Sequence, residues 1–153
     1  MIIEQNVPAP VRTWAYCQRK IRSNERTIRL LEEGKPIDYA SFVSIKMRGR
    51  ARYREECCKL MIARLKRRNA RYRDLAERSR QKNSNPPENW LLSKNEALNL
   101  IGSTLHYRIH GKDVYDTLLR CSEDGERIFS SKFNSSSGLD SMSLLSLGFG
   151  KAL

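Results

Sequence analysis

The sequence predicts an all-α fold on three observations. Apolar residues recur at spacings of three, four and seven between Trp14 and Leu31, a second apolar stripe keeps its register from Met47 to Ala76, and Ser93 with Glu96 forms a capping pattern that opens a further helical run. A long amphipathic, Arg-rich helix is therefore expected to pack on an N-terminal helix, beside a small C-terminal helical unit and a flexible Ser-rich tail. The helical domain is assigned to residues 1–129, with the basic helix at about 38–82 and the C-terminal helical unit at about 88–125. Residues 130–153 are assigned to a Ser-rich linker and an apolar docking tail.

The first helix is predicted over residues 10–33. Trp14, Cys17, Ile21, Ile28 and Leu31 make its apolar stripe, and Asn24 is the one polar residue on it. Gly34 followed by Pro36 stops the helix, and Asp38 supplies an N-cap for the next. At about 100° per residue, Met47, Ala51, Cys58, Met61, Ile62, Leu65, Tyr72 and Ala76 fall within about 100° of one another, with only Arg54 and Asn69 out of character. One continuous helix follows, ~55 Å long over the 37 residues from Lys46 to Lys82. Gly49 lies off the stripe, where it costs about 1 kcal/mol relative to Ala and marks a candidate bend.

Asn83, Ser84, Asn85, Pro86 and Pro87 break the pattern, because paired prolines cannot continue a helix. Beyond them Ala97, Leu98, Ile101, Leu105 and Ile109 follow with helical spacing to a stop at Gly111. Asp113 caps a short fourth helix through Val114, Leu118 and Cys121, ended by Gly125, and residues 127–133 read as a strand or an extended arm. The last 24 residues hold eight serines, and Ser135, Ser136, Ser137 and Gly138 read as a flexible linker. Leu139, Met142, Leu144, Leu145, Leu147 and Phe149 then form an apolar tip, expected to dock on the chain's own core or on a partner.

Charge is concentrated rather than spread. Between Lys46 and Lys82 stand fifteen Lys or Arg and four acids, a local +11 within a total of +12. Four acids cannot neutralise fifteen bases, and eleven of the fifteen are Arg, whose guanidinium fork suits bidentate phosphate contact and stacking on bases. The run RLKRRNARYRDLAERSR is similar in composition to the arginine-rich helical peptides that enter a widened RNA groove. Nucleic acid, RNA or DNA, is thus the expected partner of a small regulatory or accessory protein. The expected contacts are Arg48, Arg52, Lys59, Arg64, Lys66, Arg67, Arg68, Arg71, Arg73 and Arg78. In the alternative reading the basic helix docks on an acidic protein surface, as an adaptor, inhibitor or structural subunit of a larger assembly such as a virion. The apolar stripe and tail also offer surfaces for a homo-oligomer.

Other chemistries lack their residue patterns. No Gly-x-x-x-x-Gly-Lys, Gly-x-Ser-x-Gly or compact carboxylate set is present, so no enzyme activity and no cofactor is expected. His106 and His110 have metal-ligand spacing without the third and fourth ligands a zinc site needs, and no metal is expected. Cys57 and Cys58 have no evident base and read as packing residues. A helix-turn-helix over residues 94–111 fails because Ser103 and Arg108 stand where that motif buries apolar side chains. The N-terminus lacks a signal-peptide pattern, no run approaches the ~20 apolar residues that span a bilayer, and adjacent cysteines suit reduced thiols. A cytoplasmic protein without a membrane partner is the expectation.

Overall fold

The computed structural model describes residues 2–34, 51–83, 85–122, 127–132 and 139–151. They divide into two compact units, one of Met1–Cys17 with Leu75–Leu153 and the other of Gln18–Asp74. The predicted cap Asp38, the bend at Gly49, the stop at Gly125 and the linker at 135–138 lie outside the described residues.

Helices α1 (Ala9–Glu32) and α2 (Ala51–Gln81) correspond to the two predicted helices, and each contributes to both units. Pro10 sits in the first turn of α1, where an amide would have no intrahelical partner. All five apolar residues of the predicted α1 stripe are buried, from Trp14 through Leu31. On α2 the stripe holds at Met61, Leu65 and Ala76, which are buried, and at Cys58 and Ile62, which are partly so.

In the unit spanning Gln18–Asp74 the two helices form an antiparallel hairpin. Glu25 meets Arg73 and Glu32, two turns on, meets Lys66, so the partner's number falls as α1 advances, and Asn24 bonds Asn69 within the same stretch. Ile28, Leu31, Met61 and Leu65 form its core, with Cys57, Cys58 and Ile62 packed against them. The polar exceptions on the two predicted stripes are each other's partners: Asn24 Nδ2 donates to Asn69 Oδ1 at 2.9 Å, and Asn69 is only 2% exposed. A slipped hairpin would leave that buried amide unpaired at a cost of about 1–3 kcal/mol, so the pair fixes register where a stripe of aliphatic residues would not.

The other unit overturns the all-α expectation. It holds a five-stranded sheet in the order β1-β2-β3-β4-β5. The strands are β1 (Ile2–Glu4), β2 (Thr104–Ile109), β3 (Lys112–Cys121), β4 (Arg127–Ser130) and β5 (Leu139–Asp140). β1 runs parallel to β2, and each later neighbour is antiparallel. The protein is a mixed helix-and-sheet fold, and the predicted helical unit at 88–125 contains strands β2 and β3 in place of its two longer predicted helical runs. A single 3₁₀ turn, Pro87–Trp90, and a short helix α3, Lys94–Asn99, precede the strands.

The capping pattern at Ser93 is real, with reciprocal bonds between Ser93 and Glu96, both 3.3 Å long. What fails is its extension. Leu105 and Ile109 are four apart, which places two residues on one side of a helix and equally on one side of a strand. Tyr107 decides between them, since a helix would turn it away, whereas it is 1% exposed beside fully buried Leu105. Gly111, taken as a helix stop, is the second residue of a two-residue hairpin turn. His110 and Gly111 have φ of 50° and 77°, the left-handed pair that a type I′ turn requires. The predicted fourth helix is likewise β3, whose inward positions Asp116 and Leu118 alternate with Tyr115 and Thr117.

Apolar residues of the tail form a short helix. Asp140 caps helix α4 (Ser141–Ser146) through the Ser143 amide at 2.6 Å, and Met142, Leu144, Leu145 and Phe149 are buried. Gly148, at φ 100°, ends the helix in a Schellman motif, with Phe149 N donating to Leu144 O and Gly148 N to Leu145 O. That reversal sends Phe149 into the core with Leu144, Leu105, Tyr107, Leu118 and Ile128. Its ring meets Tyr107 edge-on, 5.9 Å between centroids. The apolar tip thus docks on the chain's own core.

Asp116 faces inward at 1% exposure and is held by convergent donors. Ser130 Oγ donates to Oδ2 at 2.7 Å, and Oδ1 accepts from Ser131 Oγ at 2.7 Å and from the amides of Thr117 and Lys132 at 2.8 and 2.9 Å. Burial, then the charge of Asp116 and a hydrogen bond to it, pushes the Tyr107 hydroxyl up to about 12. An unfolded tyrosine ionises near 10, so this contribution is complete below about pH 10 and fades as pH rises toward 12. Urea midpoints measured across that window should fall by the equivalent of ~2 kcal/mol, and a Tyr107→Phe variant should lack that part of the decline.

Candidate nucleic-acid interface

The ten predicted contacts separate into groups once the side chains are placed. Arg48 lies outside the described residues, and Arg52 stands in the first turn of α2 with its side chain outside them. Lys59 pairs with Glu55 one turn away at 3.5 Å. Lys66 and Arg73 face α1, at 3.9 Å from Glu32 and 2.9 Å from Glu25. Arg78 is exposed, makes interactions of its own and belongs to the other compact unit.

Arg64, Arg67, Arg68 and Arg71 remain. At 3.6 residues per turn these positions share one face of α2, and all four side chains are exposed. Among the described residues none has an ion-pair or hydrogen-bond partner, so four guanidinium groups stand together with their charge uncompensated. The helix positions them at neighbouring steps of 1.5 Å rise, and its buried stripe of Met61, Leu65 and Asn69 fixes which way they point. Clustered guanidinium groups of this kind take phosphate oxygens in bidentate fashion.

The groove on the α1 side of the hairpin differs in kind. It is an open cleft of about 550 Å³, lined by Glu25, Ile28, Arg29, Glu32, Lys66, Asn69 and Arg73. Two carboxylates offset its cations, so it offers a polyanion little, while the half-exposed pairs across it are each worth at most about 1 kcal/mol.

The remaining candidate residues fall in environments of their own. Burial pushes the Cys17 thiol up, away from nucleophilic use. Among the described residues no group of three or more His, Cys, Asp or Glu converges to hold a metal ion. His106 binds Asp113 through Nε2 at 3.0 Å and stacks on Tyr115. With Arg108, Arg120 and Phe129, these residues line the outward face of the sheet, a surface that sequence reasoning missed because it read β2 and β3 as helices. The available signal was the strict alternation Thr104, Leu105, His106, Tyr107, Arg108, Ile109.

Among the described residues no helix is long and apolar enough to cross a membrane. Comparison with known protein families, characterised proteins and solved structures returns no match, so the interface is read from its own geometry.

Proposed function

We propose that the protein is a small, non-enzymatic nucleic-acid-binding factor that tracks phosphates with the outer face of α2. The observation that carries this reading is the cluster of Arg64, Arg67, Arg68 and Arg71, exposed on one helical face without acidic partners among the described residues. A solvated face of ordinary composition would intersperse acids to form pairs three or four residues apart, as Lys59 does with Glu55. Cys17, Cys57 and Cys58 are not joined in disulfides, which fits a reducing, cytoplasmic setting.

Binding through this face is electrostatic and therefore salt-dependent. Each phosphate neutralised contributes about −0.9 to the slope of log affinity against log salt for duplex DNA and about −0.7 for single strands. The four exposed guanidinium groups give a slope of about −3 or steeper, since Lys66 and Arg73 are already committed to carboxylates. Fluorescence anisotropy with labelled oligonucleotides over a salt series measures it. A flat response would remove the mechanism, and capture of an acidic protein in place of nucleic acid would favour the adaptor.

A further inference from the structure

The outward face of the sheet presents rings and guanidinium groups where its inner face presents aliphatic side chains. His106 and Tyr115 are partners across β2 and β3, and their rings stack with centroids 4.6 Å apart and planes 12° from parallel. Asp113 Oδ1 steadies the imidazole at 3.0 Å and also lies 3.3 Å from Arg108 Nε, so its charge is compensated. Tyr115 is nevertheless 57% exposed with one ring face covered by His106, and the opposite ring face is therefore open. Across β3 and β4, Arg120 lies over Phe129, 3.8 Å from the ring centroid. Four residues of β3 lie between Tyr115 and Arg120, and the register shift between Leu118 and Arg120 brings Arg120, opposite Phe129, to the face of Tyr115, roughly 13–16 Å along the strand.

We infer that this face binds unpaired bases of a single-stranded nucleic acid, one base stacking on the open face of Tyr115 and another beside the Arg120–Phe129 pair. The inference rests on the nucleic-acid reading above and specifies its ligand. A flat aromatic ring held at fixed orientation on a sheet stacks any base, and only an unpaired base has a face to offer. The imidazole and carboxylate behind Tyr115 keep that ring in place before the ligand arrives, which reduces the ordering cost of binding. Arg120, exposed beside Phe129, supplies the phosphate and cation–π contacts that accompany stacking. An apolar peptide partner would want aliphatic surface. The described outward side chains of β2 and the facing half of β3 are Thr104, His106, Arg108, Asp113, Tyr115 and Thr117, with no aliphatic residue among them.

The test uses the full chain with labelled oligouridylate, oligothymidylate and a blunt duplex of equal length. Tyr115→Ala should lower affinity for at least one of the single strands about tenfold, leave duplex affinity and the salt slope unchanged, and lower the thermal midpoint by only a few degrees, the loss of one cross-strand pair. Tyr115→Phe should bind as the parent does, because the ring is retained. Arg120→Gln gives an independent reading, with an expected loss of about fivefold on the same strand. Dependence on Tyr115 with uridylate alone assigns RNA, with thymidylate alone DNA, and either supports the inference. If both variants bind both single strands like the parent, or lose duplex binding equally, the inference is overturned and the α2 reading stands. If the parent binds none of the three polymers, both fall.

Discussion

Replacing Arg64, Arg67, Arg68 and Arg71 together by Gln is expected to abolish nucleic-acid binding at about 0.1 M salt, with the helical circular-dichroism signal unchanged. A charged hydrogen bond to phosphate contributes about 1.5 kcal/mol even at the low end of its range, so four lost contacts weaken binding a thousandfold or more. Helicity survives because Gln is nearly as good a helix former as Arg and none of the four side chains is buried. The discriminating control is the pair Lys66→Gln with Arg73→Gln, which removes two cations from the same helix. Those cations already face Glu32 and Glu25, so their loss should cost far less affinity than half of the quartet. Equal losses from the two variants would mean that total charge governs binding and that the face assigned here is wrong.

That contrast was only half visible in the sequence. The Arg-rich helix and its apolar stripe were legible because 3.6-residue periodicity over many turns has no competing explanation, and Met61, Leu65 and Ala76 are buried as expected. The division of its cations was not, because it depends on which α1 carboxylates face them, a fact of hairpin register. Asn24 and Asn69 were visible as two defects in two stripes; their pairing at 2.9 Å required the fold.

Between Ala97 and Cys121 the sequence misled for a definable reason. Spacings of four residues serve both periods, so Leu105 with Ile109 and Val114 with Leu118 fit either secondary structure. The residue between each pair separates them, and there the second strand hid its signal. Tyr107 is apolar enough to reveal β2, but Asp116 occupies the corresponding inward position of β3 and reads as a polar helix face. The His110–Gly111 turn compounds the error, since hairpin turns of its type usually begin with Asn or Asp. In the tail, six apolar residues announced docking, whereas the Gly148 reversal that aims Phe149 into the core shows only in the backbone.

Asp116 is accordingly the position where a single atom-scale change should do the most damage to folding. In Asp116→Ala the hydroxyls of Ser130 and Ser131 and the amides of Thr117 and Lys132 lose their common acceptor at the junction of β3 and β4. Buried donors left unpaired cost about 1–3 kcal/mol each, moderated where the partly exposed members find water, so a net loss of ~3–5 kcal/mol is expected. That is about a fifth or more of the stability of a typical domain of ~5–15 kcal/mol. Asp116→Asn should fall between the variant and the parent. Its carbonyl oxygen can take the place of Oδ1, which serves three of these donors, while its amide replaces the oxygen that accepts from the Ser130 hydroxyl, so only that bond has to reverse. Asp113→Ala on the same strand removes a half-exposed carboxylate and should cost about 1 kcal/mol or less. Urea denaturation of the three variants gives the order Asp116→Ala, Asp116→Asn, Asp113→Ala from least to most stable. If Asp116→Ala instead unfolds within about 1 kcal/mol of the parent, the carboxylate is not what joins these strands, and the inward-facing charge that concealed β3 in the sequence has no structural reason to be there.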